Sequence, residues 1–493
     1  MMTKYDIKYG ILDYDSFYKR LNNLCLNGEQ SNSIYKESSL GKSKSGFSIE
    51  HYRVGNGPIR LVCAAGLKGD ELIGVDYVLT LMENIAKGNG VFKDFDPNVY
   101  TIDFLPCLNP DGFFTCTYAL RSVTNGMSDN ELAKFCDMYQ KAYHKDDENA
   151  FVINKCIEEV VKEAESLEDV NRLIDMFWRL YGNKDIGYND LIDFLSINVQ
   201  YDDIEECVKK VLKKWKYKLD FKVYSTKWHY RLFNKVNIDC IPSLDGKHNT
   251  LKNNIRSLYR KCNAPYETLA CFSANSNGVN LDNNTLSSYI KIKNLRNKQG
   301  VVYGYGRSNK LLVSEPGPLG APNYDMDKEF MLEPELVALT KFVNSLDNCN
   351  LFMFYGGSGN SLYVYPYDLD SIINLDDKKK KMRYFSNSKL ATSYANEIGN
   401  VFEEYTSNNK PCKISSYIGD IDGFKDDIRN KSNATMLLQI SSFGGNPIAP
   451  YKDIELYKAN MICHLSAFKR LMSGILRLDR LTDMTIDDVN KSL

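Results

Sequence analysis

The sequence predicts an α/β fold that is interrupted by a long helical segment. Strand-like and helix-like stretches alternate over residues 47–113, helical spacing alone occupies residues 128–219, and the alternation returns from residue 267 onward. Strand, helix and strand in this order are typical of a layered architecture with a largely parallel sheet. The chain has 493 residues, which is long enough for one large domain with an insertion or for two to three domains.

The first part of the chain carries clear strand and helix signals. Residues 14–26 have the apolar spacing of a helix. FSIEHYRVG and IRLVCAA alternate as strands on either side of a Gly-Asn-Gly turn, and VDYVLTLMENIAK returns to helical spacing. A second buried strand, VYTIDFLPCL, ends at the NPDG sequence of residues 109–112, which we expect to form a turn.

The middle of the chain is dense in helix-forming residues. Stretches such as ELAKFCDMYQKAY and DIEECVKKVLKKWKYKL repeat apolar residues every three or four positions, with mixed charges between them. We therefore predict a mostly helical insertion at residues 126–265, between two parts of one α/β domain at residues 1–125 and 266–493. Residues 220–263 give a weaker signal, which fits either the insertion or a return to the sheet.

The last part of the chain again alternates between helix and strand. LEPELVALTKFVNSL predicts a helix, CNLFMFYGG a buried strand and LYVYPY a short extended segment. KLATSYANEIGNVFEEYTS predicts an amphipathic helix, ATMLLQIS a buried strand, and the stretch beginning DIELYKAN a long final helix.

Composition excludes several classes of protein. The net charge of −1 gives no general attraction to nucleic acid or to anionic membranes. The first residues lack the apolar core of a signal peptide, and no run of about 18 apolar residues predicts a transmembrane helix. The 13 cysteines are scattered without CxxC pairs, as is typical of reduced thiols. We therefore expect a cytoplasmic protein that binds neither nucleic acid nor membrane.

Seven motifs follow one another outside the helical segment. They are SLGKSKSGFSIEHYRVG, GLKGDELIGV, LPCLNPDGF, NSNGVNLDNN, the helix beginning EPEL, YGGSGNSLYVYPY and ATMLLQI. Together they resemble the zinc-dependent metallocarboxypeptidase family, in the same order and over most of the chain outside the insertion. The resemblance implies a three-layer α/β/α fold with a mixed central sheet. The insertion has no counterpart in the family pattern.

The resemblance places altered residues at the zinc site. GLKGDELIGV resembles the family's "GxHxxExxG" segment, which supplies two zinc ligands; Lys68 stands at the histidine position and Glu71 keeps the glutamate. Residues 352–359, where the third ligand is expected, contain no histidine at any register. Catalytic zinc needs about three N or O ligands, and a protonated ammonium has no lone pair. We therefore expect no bound zinc, and an ion pair between Lys68 and Glu71 in its place.

The resemblance also places altered residues at the substrate clamp and at the general base. Asp282 and Asn283 occupy the positions of an Asn-Arg pair that grips a C-terminal carboxylate, and Asp282 would repel such a group. Gln439 stands at the position of the catalytic glutamate. Because an amide does not accept a proton near neutral pH, this position lacks a general base. We therefore expect no catalytic residue among these positions.

Two further residues are candidates for the altered cleft. Arg121 follows the NPDG motif and is a candidate replacement for the family's arginine, and Tyr417 lies near the position of the family's mobile tyrosine. The residues that we expect to line a binding cleft are Lys68, Glu71, Arg121, Tyr417 and Gln439.

These observations predict a catalytically inactive carboxypeptidase-like protein, a pseudoenzyme that acts through binding or assembly. The chain shows no GxSxG, P-loop or HExxH motif that would support another chemistry. One alternative is an atypical metallocarboxypeptidase or peptide hydrolase, which would use zinc. Another is a structural protein that self-assembles into a particle or inclusion. The expected partners are a second protein or a second copy, with a peptide or small ligand in the cleft.

Overall fold

The computed structural model describes residues 5–26, 32–166, 169–181, 186–214, 222–223, 236–299, 313–346, 349–356, 360–364, 413–416, 436–442 and 448–480. Eight strands within these residues form one mixed sheet. In spatial order they are β1 (Ile34–Lys36), β4 (Tyr52–Val54), β6 (Tyr100–Leu105), β5 (Ile59–Ala65), β9 (Leu351–Tyr355), β12 (Met436–Ser442), β10 (Asn360–Val364) and β11 (Lys413–Ser416). Two small hairpin-like pairs stand apart from it, β2 (Gly41–Lys42) with β3 (Ser48–Ile49) and β7 (Ile186–Gly187) with β8 (Lys222–Val223).

The centre of the sheet is parallel and its margins contain antiparallel pairs. β6, β5, β9 and β12 run parallel to their neighbours in that series. β4 pairs antiparallel with both β1 and β6, and β10 pairs antiparallel with β12 but parallel with β11. The sheet is therefore mixed, as predicted.

Helices complete the described secondary structure, and none of those described is both long and apolar enough to cross a membrane. Their bounds are α1 (Tyr14–Leu26), α2 (Leu72–Lys87), α3 (Pro110–Thr124), α4 (Asp129–Glu163), α5 (Val170–Tyr181), α6 (Tyr188–Asn198), α7 (Ile204–Lys214), α8 (Gly246–Cys262), α9 (Leu286–Gln299), α10 (Pro334–Asn344) and α11 (Ile454–Arg480).

Both faces of the sheet are buried by helices. Successive side chains of a strand point to opposite faces. In β5, Leu61, Cys63 and Ala65 join a hydrophobic cluster with residues of α1, α2, α3, α8 and α11, whereas Val62 and Ala64 join a second cluster with residues of α10. Burial of a large aliphatic side chain such as Leu61 or Val62 stabilises the fold by about 1.5–3 kcal/mol. The predicted three-layer α/β/α arrangement is confirmed.

Most of the predicted elements are confirmed, and one is wrong. The structure contains the predicted α1, α2, β6, α10, β9, β12 and α11. Residues 109–112, however, are not a plain turn but the start of α3, where the Asn109 side chain accepts a hydrogen bond from the backbone N–H of Gly112 at 2.9 Å. Asparagine at the N-cap and proline at the first helical position are typical of such a start. The helix predicted at residues 389–407 lies outside the described residues.

Helices α4 to α7 share a hydrophobic cluster of their own, whose buried members run from Val152 to Leu212. Helix α8 behaves differently, because Leu251 and Ile255 pack into the main cluster beside the sheet. Packing therefore joins α8 to the α/β part, although its residues fall within the range predicted as insertion. The boundaries of the insertion, at residues 126 and 265, therefore remain a prediction.

Burial is described for eleven cysteine side chains, and all of them except Cys240 are buried. Burial raises the pKa of Cys156 and Cys240 to about 12. Because the thiolate is the reactive form, these side chains are poor nucleophiles near neutral pH. The described thiols therefore serve as packing groups.

Candidate functional site

The altered motifs meet at one edge of the central sheet. Across the parallel strands, Ala65 is in register with Tyr355, which is in turn in register with Ile440. Lys68 follows the end of β5 by three residues, and Gln439 precedes Ile440 in β12. Because the carboxyl ends of parallel strands meet at the same edge, the segment with Lys68 and the strand with Gln439 share this edge.

Glycines allow the backbone segments to touch here. A Cβ atom added to Gly69 would lie 2.5 Å from the carbonyl carbon of Gly112, and one added to Gly74 would lie 2.1 Å from the carbonyl oxygen of Tyr355. Any side chain at either position would therefore collide with backbone. The glycines of the zinc-ligand motif are explained by packing alone, independently of any catalytic role.

Lys68 forms an ion pair across this edge. Its Nζ atom lies 3.4 Å from Oδ2 of Asp282, and the two side chains are 33% and 22% exposed. The Asp282 carboxylate raises the pKa of Lys68 further than its partial burial lowers it. The lysine is therefore a fixed positive charge at the position where the family resemblance expects a zinc-binding histidine.

Glu71 is buried and turned towards its own loop. Its Oε2 atom accepts a hydrogen bond from the backbone N–H of Lys68 at 3.1 Å. Burial raises the pKa of Glu71 to about 7, although the Lys68 ammonium and this hydrogen bond act in the opposite direction. The carboxyl group is therefore partly protonated near neutral pH.

The predicted ion pair between Lys68 and Glu71 is wrong. Within the described residues, the ammonium of Lys68 pairs with Asp282 instead. The physical reason is local. Glu71 immediately precedes α2, and its carboxylate accepts a hydrogen bond from the backbone N–H of Lys68 instead of pairing with the Lys68 ammonium. Asp282 reaches the ammonium from the short 3₁₀ helix Leu281–Asn283.

The other predicted cleft residues are placed less closely. Asn283 lies beside Asp282 in the same 3₁₀ helix. Arg121 lies in the last turn of α3 and pairs with Asp13 at 3.1 Å, about 14 Å along the helix from Gly112 at 1.5 Å per residue. The structure gives Gln439 a backbone register but no described side chain, so its predicted role stays a prediction. Tyr417 lies outside the described residues.

The residues present do not fit a zinc ion. The first ligand position holds an ammonium that is already paired with Asp282, and the carboxyl group at the second accepts a hydrogen bond from the backbone N–H of Lys68. Zinc ligands must be deprotonated and carry a free lone pair. Among the described side chains, no group of three or more His, Cys, Asp or Glu could hold a metal ion.

The described histidines near the sheet are occupied elsewhere. His51 binds Asp103 through Nε2 at 2.7 Å, and His248 binds Tyr118 and Asp245 at 2.9 and 2.8 Å. Both side chains are buried and contribute to packing. Neither histidine therefore supplies the ligand that position 68 lacks.

Sequence reasoning missed a group of buried carboxylates beside this edge, namely Asp111, Glu333 and Glu335. Asp111 belongs to the NPDG motif and the two glutamates to the EPEL motif. The occurrence of these acidic residues in two of the seven motifs could have indicated a shared site. Acidic residues in the first turn of a helix, however, usually face solvent and interact favourably with the helix dipole. The structure buries all three together.

Comparisons with known proteins give matches to solved structures only. The chain matches no protein-family description and no curated protein. Carboxypeptidases are among the solved structures that are similar to it. Bovine thrombin-activatable fibrinolysis inhibitor, solved with tick carboxypeptidase inhibitor, is 10% identical, with a TM-score of 0.41 over 95% of this chain and 98% of that chain.

Two further solved structures are similar to the chain at comparable identity and TM-score. The carboxypeptidase A from Helicoverpa armigera is 11% identical, with a TM-score of 0.39 over 92% of this chain and 74% of that chain. A metallo-carboxypeptidase from Burkholderia cenocepacia is 9% identical, with a TM-score of 0.35 over 93% of this chain and 70% of that chain. Similarities at this level carry no inference about the ligands or the activity of this protein.

Proposed function

We propose that this protein is a carboxypeptidase-like pseudoenzyme that acts by binding rather than by hydrolysis. The observation that carries the proposal is the ion pair between Lys68 and Asp282, which joins the altered metal position to the altered substrate clamp. An ammonium balances a carboxylate as a metal ion would, but it offers no vacant position for water. The metal position therefore holds a paired ammonium, which does not have the chemistry of a Lewis acid.

Three steps of metal-assisted peptide hydrolysis would each lack a group. Lys68 cannot ligate zinc while it is protonated, Asp282 repels a C-terminal carboxylate, and Gln439 cannot take a proton from water. Loss of a single group can leave residual activity, but loss of all three removes activation, binding and proton transfer together. Binding of a peptide or small ligand at this edge is the remaining function that we propose.

The charges at the edge favour a particular kind of ligand. Asp70, Glu71 and Asp282 contribute three carboxyl groups around the single ammonium of Lys68, and Asp70 and Asp282 both act on the charge of that ammonium. A cationic or neutral ligand would be attracted, whereas a free peptide carboxylate would be repelled.

We propose a cytoplasmic location on the basis of composition and free thiols.

The direct test measures zinc and peptidase activity together. Protein purified without chelators should contain far less than one zinc per chain and should show no chelator-sensitive release of C-terminal residues from peptides. In Lys68→His, the introduced imidazole together with Glu71 should bind added zinc weakly, because a third ligand is still absent. Lys93→Gln, which changes a lysine that is 70% exposed, is the matched surface control. Near-stoichiometric zinc in the wild-type protein, or chelator-sensitive hydrolysis, would establish the atypical hydrolase instead.

Self-association is a second candidate function, and exposed apolar side chains favour it. Leu286 and Ile290, one helical turn apart in α9, are 55% and 49% exposed, and Met331 is 70% exposed. The Asn284 side chain donates a hydrogen bond to the carbonyl oxygen of Met331 at 3.0 Å, which brings the two segments together. Sedimentation at increasing concentration should reveal oligomers, and Ile290→Glu should weaken them. A monomer at every concentration would remove this candidate.

A further inference from the structure

Three carboxyl groups are buried together beside the cleft edge, without a cation. Asp111, Glu333 and Glu335 are 0%, 4% and 1% exposed. They come from the start of α3, the residue before α10 and the first turn of α10. Among the described residues none of the three takes part in an ion pair. Buried carboxylates without a cation need either hydrogen-bond donors or a proton.

Asp111 and Glu333 are well supplied with donors. Asp111 accepts hydrogen bonds from Ser43 Oγ at 2.5 Å, from the backbone N–H and Oγ of Ser45 at 3.0 and 2.8 Å, and from Ser276 Oγ. Glu333 accepts from Asn275 Nδ2 at 2.9 Å and from Asn277 Nδ2 at 2.7 Å. These donors lower the pKa of both carboxyl groups, but burial raises it further, so both pKa values lie above their ordinary range.

Glu335 is poorly supplied. From the other described residues it accepts two long hydrogen bonds, from the backbone N–H of Lys44 and from Asn275 Nδ2, both at 3.3 Å, and its own backbone N–H also acts on it. The Asn275 donor is shared with Glu333. Burial raises the pKa of Glu335 to about 8, and the neighbouring Asp111 and Glu333 add to that rise. The charged groups around it are these two carboxyls and the ammonium of Lys44, which acts on Glu333. All three carboxyl groups have raised pKa values, and Glu335 has the longest hydrogen bonds of the three, so we assign the proton to Glu335.

The same residues hold the segment that carries Asp282. Asn275, which begins this segment, binds Glu333 and Glu335 through Nδ2 and also accepts hydrogen bonds from the backbone N–H groups of Asn277 and Val279 at 3.1 Å each. At the other end, Asn284 accepts a hydrogen bond from the backbone N–H of Glu333 at 2.8 Å. The start of α10 thus fixes both ends of residues 275–284.

We propose that Glu335 is a pH-operated latch. When Glu335 is protonated, the three carboxyl groups stay packed around Asn275. When Glu335 is ionised, it adds a third negative charge, which loosens residues 275–284 and moves Asp282 away from Lys68. The latch does not depend on whether the cleft is catalytic, so it stands apart from the proposed function. Its physical basis is that like charges in a buried site repel strongly, because the site excludes the water that would screen them.

The direction of the effect on stability follows from linkage. The pKa of Glu335 is higher in the folded protein than its ordinary value of 4.5. The stabilisation by its proton is therefore fully present below pH 4.5, declines as the pH rises, and is lost once the pH passes about 8. Mild alkali, rather than acid, should open the latch.

The test compares wild-type protein with Glu335→Gln, which imitates the protonated side chain. Between pH 5 and pH 8, the logarithm of the unfolding equilibrium constant should rise with pH less steeply in Glu335→Gln, by about one proton. Hydrogen exchange of residues 275–284, corrected for the intrinsic effect of pH, should increase at least several-fold from pH 7 to pH 9 in the wild type and stay flat in the variant. Glu329→Gln, at an exposed glutamate near the same helix, is the matched control and should behave as the wild type.

Infrared spectroscopy on the wild-type protein gives a measurement that needs no variant to fold. A protonated carboxyl band that disappears between pH 7 and pH 9 is expected, and Glu335→Gln should lack it. An unchanged stability slope in Glu335→Gln would overturn the assignment of the proton. A changed slope with identical exchange of residues 275–284 would overturn the latch, and neither result would bear on zinc or peptidase activity.

Discussion

Asp103 and Glu335 are both buried carboxyl groups, with 0% and 1% exposure, but their charges are balanced differently. Asp103, in β6, accepts hydrogen bonds from Arg60 Nε at 2.7 Å and from Arg53 Nε at 2.9 Å, and it also binds His51. Glu335 has two donors at 3.3 Å and two neighbouring carboxyl groups. One carboxyl group is balanced by cations and the other by a proton.

The difference teaches that burial alone does not decide how a carboxyl group responds to pH. Burial raises the pKa of Asp103, but His51 and Arg60 more than reverse that rise, so its pKa lies below the ordinary value. Burial beside Asp111 and Glu333 raises the pKa of Glu335 to about 8. Stability linked to Asp103 is therefore lost in acid, and stability linked to Glu335 is lost in mild alkali.

The largest effect is expected where a buried arginine pairs with two buried carboxylates, one of which, Glu83, also pairs with Lys8. Arg20, which is 6% exposed, pairs with Asp76 and with Glu83, the latter at 2.8 Å, and also donates to Thr80. Arg20→Met should lower the free energy of unfolding by about 3–5 kcal/mol, because it leaves the buried Asp76 carboxylate without its cation, whereas Glu83 keeps Lys8. Urea denaturation at pH 7 would measure the loss.

The control for that prediction is the exposed ion pair between Arg121 and Asp13, in which the arginine side chain is 41% exposed. Arg121→Met should change stability by only about 0–1 kcal/mol. If Arg20→Met and Arg121→Met lowered the free energy of unfolding by the same small amount, the Arg20 guanidinium would not be balancing buried carboxylates as its geometry indicates.

A smaller effect, of opposite pH dependence to that of Glu335, is expected at Asp103. Asp103→Asn should lower the free energy of unfolding at pH 7 by about 1.5–3 kcal/mol, because hydrogen bonds from charged donors to the carboxylate are lost. Since the folded-state pKa lies below the ordinary value of 3.8, the stabilisation is present above pH 3.8 and is lost as the pH falls through the folded-state value. Denaturation midpoints measured from pH 6 down to pH 2.5 would show it.

As the pH falls, the free energy of unfolding of Asp103→Asn should therefore decrease less than that of the wild type. Asp94→Asn, at a carboxylate that is 77% exposed, provides the control and should leave the acid profile unchanged. An acid profile of Asp103→Asn that runs parallel to the wild type would contradict the balance by cations.

The scaffold was predictable from sequence because backbone contacts leave strong local signals. Gly69 and Gly74 have to be glycine where the loop and helix meet Gly112 and Tyr355, and such positions are visible as motif residues. The nearly continuous apolar run of β5 is likewise typical of a strand that is buried on both faces. These features depend on neighbours in sequence or on a fixed spacing.

The charge partners were not predictable in the same way. Lys68 lies close to Glu71 in sequence, but its ion pair is with Asp282, which reaches it only through the folded loop of residues 275–284. An acidic residue in the first turn of a helix usually faces solvent, and only the structure shows that Glu335 is buried beside Asp111. Spacing predicts which segments meet, but not which of several nearby carboxyls a cation selects.

The smallest effect is expected at the cleft edge itself. Lys68 and Asp282 are 33% and 22% exposed, and their charged atoms lie 3.4 Å apart, so water screens the pair far more than it screens Arg20. A double-mutant cycle with Lys68→Met and Asp282→Asn should give a coupling free energy of about 0.2–1 kcal/mol at low salt and less in 1 M salt.

A coupling above about 2 kcal/mol would place this pair with the fully buried ion pairs, and would mean that the cleft is closed to water. A coupling indistinguishable from zero would mean that the ammonium does not depend on Asp282. The small value expected here is the one that suits a binding cleft, because a weakly held ion pair can open to admit a ligand at little cost in stability.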